Sequence, residues 1–171
     1  MPIDIANVIV SFAVGTVGAG IVGAVINRRF TAALEVWRSR RGWEESSVAE
    51  LLGPVFIQLD RTKRAFDRWD GKNLFLEAQV VRAGNLAIRD LLLSKPHLIP
   101  PELRDAASTL ILHYDVWLEE FDRVRATQTL GESQHDFVFA GPKGYSFPVQ
   151  ADEKFRNAFH ETWNKLYAKK A

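Results

Sequence analysis

Between Ile5 and Ile26 the chain carries no charged residue. These 22 residues would span roughly 33 Å as a helix, and a bilayer core is about 30 Å thick. The stretch is rich in Val, Ile, Ala and Gly, with Asn7, Ser11 and Thr16 as its polar residues. A globular domain rarely buries a helix that is apolar all round for so many turns. A secretory signal needs a basic start and a small-residue cleavage site. Here the start reads Met-Pro-Ile-Asp and the apolar run ends in Arg28 and Arg29. The expectation is a transmembrane anchor over residues 1–27.

Basic residues set the expected orientation. Between positions 27 and 42 stand Arg28, Arg29, Arg38, Arg40 and Arg41 against Glu35, a local charge of +4. Basic flanks stay cytoplasmic. The reading is a single-pass protein of the inner membrane with its N-terminus outside and everything after Asn27 in the cytoplasm. Residues 28–46 form a basic juxtamembrane linker or helix extension, and these arginines are the expected membrane-surface contacts, compatible with anionic headgroups. Trp37 and Trp43 belong either to the headgroup layer or to a helical core.

Through the apolar stretch, Asn7, Ser11, Gly15, Ala19, Gly23 and Asn27 recur at steps of four. Helices in lipid associate by close backbone approach rather than by the hydrophobic effect. The strip is therefore the expected site of self-association. A ring of such helices, with asparagine and serine inward, would form a pore.

The rest of the composition mostly excludes. Lysine and arginine number 22 against 21 acids, so the net charge is +1 and no global basic field points to nucleic acid as a partner. Cysteine is absent, which removes disulfides, thiolate metal sites and cysteine nucleophiles. No cofactor motif, phosphate-binding glycine loop or nucleophile elbow is present. His113 with Asp115 and Glu120 is the nearest approach to a metal cluster, but residues two apart on a helix point away from each other, so no metal is expected. Glu119 and Arg123 read as a surface pair.

Residues 47–171 read as one all-α bundle of about four helices. Ser47 with Glu50 has the spacing of a capping box, and Val48, Leu52, Val55, Phe56, Leu59 and Phe66 form one apolar face. Pro54 either kinks this helix or starts it. A second helix covers about Asn73 to Ser94, with Leu74, Val81, Ile88, Leu91 and Leu92 inward and Pro96 as its stop. A third begins at Pro101 and carries Leu103, Ala107, Leu110, Tyr114, Trp117, Phe121 and Val124. The last runs about Asp152 to Lys169, with Phe155, Phe159, Trp163 and Leu166 as its stripe. Alternation at Phe137 and Phe139, and again at Tyr145 and Phe147, around Gly141-Pro142-Lys143-Gly144, predicts a β-hairpin at about 137–147.

Arg156-Asn157-Ala158-Phe159-His160 is the one grouping with catalytic chemistry: imidazole as base and guanidinium as charge stabiliser on a phosphodiester. An arginine followed by a polar residue and then a histidine, on a helix of an all-α bundle, resembles the HEPN ribonucleases. That family separates its arginine and histidine by more than the three residues found here. The overall layout is similar to that of small single-span bacterial effectors of anti-phage systems, including those that accompany RNA-targeting CRISPR nucleases. This resemblance implies a membrane-anchored, self-associating, non-enzymatic protein that perturbs membranes in defence, with the lipid bilayer and further copies of itself as partners. Two alternatives stand beside it: a membrane-tethered HEPN-like ribonuclease using Arg156 and His160, and a passive anchor that recruits a cytosolic protein through the hairpin aromatics.

Overall fold

The computed structural model describes residues 28–68, 75–126 and 145–168. The chain divides into two compact units, Met1–Gly42 and Trp43–Ala171, each described by itself. Helix α1 covers 28–47. In its 28–42 portion every residue except Leu34 is exposed, including Arg28, Arg29, Arg38, Arg40 and Arg41, and the guanidinium of Arg41 lies 5.5 Å from the Trp37 ring centre.

In the second unit α1 does not stop at Ser47. It runs into a π-helical turn, Val48–Leu52, and then into α2, Gly53–Asp67. Ser47 therefore has helical backbone angles and caps nothing. Its hydroxyl, buried inside the bundle, instead donates to the Leu98 carbonyl at 2.8 Å. One turn earlier, the Trp43 indole N–H donates to the His97 carbonyl at 2.9 Å. The apparent capping box thus clamps the connection between the second and third helices of the bundle.

The π turn answers the Gly53-Pro54 pair. Proline lacks an N–H and its ring collides with the carbonyl four residues back in a regular helix. A widened turn lets the chain continue, with the Gly53 N–H donating to the Val48 carbonyl. A Cβ at Gly53 would lie 2.9 Å from that same oxygen and 3.6 Å from Cε2 of Phe159, so only glycine fits without a shift.

A second π-helical segment, Leu76–Arg82, leads into α3, Ala83–Ser94. The helix ends at Ser94, as the proline two residues on predicts. Short 3-10 turns at Pro96–Leu98 and Pro101–Leu103 lead to α4, Arg104–Ala126, and α5 spans Val149–Tyr167. Helices α2, α3 and α4 pack in sequence, and α5 closes against α4, α2 and the first π turn.

Two cores result. The larger joins the first π turn and α2 to α3, α4 and α5 around Leu51, Val55, Ile88, Leu110, Tyr114 and Phe155. The smaller lies toward the other end of α2, where Ala65 meets Leu76, Val80, Val81, Trp117 and Phe121. Along α4 the expected stripe from Leu103 to Phe121 is buried in full. On α2 the buried face drifts to Ala65, leaving Phe66 49% exposed.

Three expectations are affected. Among the described residues no helix is long and apolar enough to cross a membrane, because each bundle helix turns one charged face to solvent. The single-pass inner-membrane placement, with its N-terminus outside and C-terminal part cytoplasmic, is corrected on that finding. The stretch from Ile5 to Ile26, with Asn7, Ser11, Gly15, Ala19, Gly23 and Asn27, lies outside the described residues. The β-hairpin is corrected as well: no strand occurs among the described residues, and Tyr145 to Pro148 is irregular chain leading into α5. Phe137 and Phe139 lie outside the described residues.

Candidate functional site

Helix α5 brings Arg156 and His160 onto one face, one turn apart, and both meet the Phe56 ring. Arg156 Nε donates to both carboxylate oxygens of Asp152, at 2.9 and 3.0 Å. Its guanidinium carbon sits 5.6 Å from the centre of the Phe56 ring. His160 meets the same ring edge-on, centroid to centroid at 5.1 Å. Phe56 in turn stacks on Phe159 at 4.7 Å. The α2 ring is thus a shared contact of Arg156, Phe159 and His160.

The aromatic run continues along α5. Phe159 contacts Trp163 at 5.9 Å, and Trp163 contacts Tyr167 at 4.7 Å. Trp163 is 48% exposed and Tyr167 49%. Trp163 was expected inside. The buried stripe of α5 instead passes through Ala151 and Phe155, with Ala158, Phe159 and Leu166 packed at its margin. Trp163 stands at the edge of that stripe, roughly 80° around the helix from Phe155 at about 100° per residue.

On the same edge lie Val149, Asp152, Arg156, His160, Trp163 and Tyr167, at steps of three and four. Such a row forms a continuous strip on a helix. The sequence carries this spacing, but its aromatic members taken alone have the period of a core stripe.

Beneath Asp152 and Arg156 lies Tyr114, whose hydroxyl is buried without a hydrogen-bond partner among the described residues. Burial and, next, the Asp152 carboxylate push its pKa up while Arg156 opposes them, so the phenol stays protonated. Its neighbour His113 is also buried, with Nδ1 unpartnered. Burial lowers the His113 pKa, and hydrogen bonds to the backbone of Tyr145 and Ser146 pull it back in part. Phe147 closes over the imidazole edge-on at 5.5 Å. This packing explains why Tyr145 and Phe147 do not alternate as a strand: the buried imidazole holds their segment against α4.

The remaining sequence candidates disperse. Asp115 is bonded by Arg89 from α3, and Glu120 by Arg123, whose Nε reaches it at 3.0 Å. Arg123 thus bonds Glu120 directly, and Glu119 acts on it electrostatically. Among the described residues no group of three or more histidines and carboxylates could hold a metal ion.

Fold and site together define an all-α bundle with an aromatic and cationic edge along its last helix. The chain matches no family model, no curated protein and no solved structure.

Proposed function

We propose that the protein is a non-enzymatic helical bundle whose work is self-association. The observation that carries this reading is the exposed edge of α5, where Trp163 and Tyr167 stand about half in solvent beside Arg156 and His160. Tryptophan, tyrosine and arginine are the residues that dominate binding energy at protein interfaces. The arginine is held in place by Asp152 and Phe56, so this side chain is already positioned before any partner arrives. Preorganisation lowers the entropy lost on binding. Sedimentation of the purified full chain, compared with a Trp163→Ala, Tyr167→Ala double variant, tests the reading. The wild type is expected to gain mass with concentration and the variant to stay monomeric. A wild type that remains monomeric throughout rejects it.

A ribonuclease reading rests on one separate observation: Arg156 and His160 contact a single ring and His160 is exposed. In its disfavour, the Nε of Arg156 and one face of its guanidinium are already taken by Asp152 and Phe56. RNA cleavage by the full chain that vanishes in His160→Ala would support it, and cleavage that survives this substitution would reject it.

A further inference from the structure

The edge of α5 is chemically divided. Its first half carries the partly buried Arg156 and the exposed His160, and its second half the exposed Trp163 and Tyr167. A cation is attracted to the face of an aromatic ring, and a C2 interface brings the same patch of two copies together in self-complementary fashion. For two α5 helices packed antiparallel, a two-fold axis midway between His160 and Trp163 sets Arg156 opposite the partner's Tyr167. The same axis sets His160 opposite the partner's Trp163. A parallel arrangement would set Arg156 against Arg156, which repels.

We propose that the protein forms an antiparallel two-fold dimer through α5, in the register that pairs Arg156 with Tyr167 and His160 with Trp163 of the second copy. This inference rests on the self-association reading and adds to it the face, the direction and the register. The packing already seen within one chain follows the same chemistry, with Arg156 over Phe56 and His160 edge-on to two rings. A second copy would extend this alternation of cation, imidazole and aromatic ring across the axis. His160, Trp163 and Tyr167 are exposed on an α5 whose buried side is held by Phe155 and Ala151, so these three can be changed without opening the core.

Mixing two variants of the full chain tests the register. Trp163→Arg alone places its cation against His160 of the second copy and is expected to weaken the dimer at least about tenfold, in line with loss of an aromatic hot spot. His160→Asp alone places a carboxylate against an indole and weakens it too. Mixed together, the two chains are expected to form a heterodimer tighter than either homodimer, because Arg at 163 then faces Asp at 160 while the other crossing keeps its native pair. Helicity by circular dichroism, unchanged in both variants, shows that the fold is intact. A mixture no tighter than its parents overturns the register, even where the wild type self-associates. A wild type that is monomeric at every concentration overturns the register and the self-association reading together.

Discussion

Arg125, near the end of α4, grips the carboxylate of Glu77 on the second π-helical segment through both its Nε and an Nη nitrogen. The glutamate side chain is 3% exposed and the arginine 16%. A pair this deep is expensive to desolvate, but breaking it is worse, because Arg125 then loses its two-pronged carboxylate partner at a site where little solvent can replace it. Glu77→Ala is expected to destabilise the protein by about 3–5 kcal/mol, as read by urea denaturation. Arg82→Ala, which removes the exposed bond to Asp122 at 3.1 Å, should cost no more than about 1 kcal/mol through that pair.

Gly84 lies where α3 comes up close against α2. A Cβ there would lie 2.4 Å from Cγ2 of Thr62, and Thr62 is fixed by its hydroxyl, which donates to the Gln58 carbonyl at 2.9 Å. Gly84→Ala should therefore destabilise by about 1–3 kcal/mol as an overpacked contact, despite the better helix propensity of alanine. Adding Thr62→Ser removes the offending methyl and keeps the hydroxyl. The double variant should melt above the single Gly84→Ala variant in a thermal scan.

Ser47→Ala is expected to cost about 1–3 kcal/mol, the range for leaving a buried acceptor unsatisfied, because the Leu98 carbonyl loses its donor. Helicity should be unchanged by circular dichroism, since Ser47 is interior to a helix. Loss of helix at the start of the bundle would contradict its role as a clamp.

The stretch around Ser47 shows where sequence reasoning reached and where it stopped. Ser47 with Glu50 is a true capping pattern locally, yet α1 supplies helical turns before it, and only the path of the chain reveals the hydroxyl's long-range partner. The stripe of α4 was legible because Leu103, Ala107, Leu110, Tyr114, Trp117 and Phe121 keep one face at regular steps and all are buried. The stop at Ser94 was legible because Pro96 acts locally. On α5 the same periodicity misled. Phe155 and Trp163 are eight residues apart and look like one stripe, but the stacked Phe56–Phe159 pair forms its border and Trp163 lies outside. The π turns left only the faint mark of Gly53-Pro54. Of the expected hairpin, Tyr145 and Phe147 answer to His113 on α4, which no local alternation encodes.

His113 gives the protein an acid-sensitive contact. Its pKa in the folded chain lies below the ordinary 6.5, chiefly through burial, so as pH falls the unfolded chain takes up the proton first. The stabilisation is complete above about pH 6.5 and shrinks as pH drops toward the folded value. The protonated ring carries a hydrogen on both nitrogens, and Nδ1 has no partner among the described residues. Stability measured between about pH 7.5 and pH 5 should fall more steeply for the wild type than for His113→Leu. Equal slopes would show that the imidazole does not titrate against folding.

The central claim is that α5 presents a self-complementary edge. Sedimentation equilibrium of the full chain over a roughly hundredfold range of concentration tests it most directly, since association follows mass action. The account predicts a mass rising from the 19.3 kDa of one chain toward that of two, and a Trp163→Arg variant that lags at every concentration. A wild-type mass fixed at 19.3 kDa, or a Trp163→Arg variant that associates as well as the wild type, would contradict it.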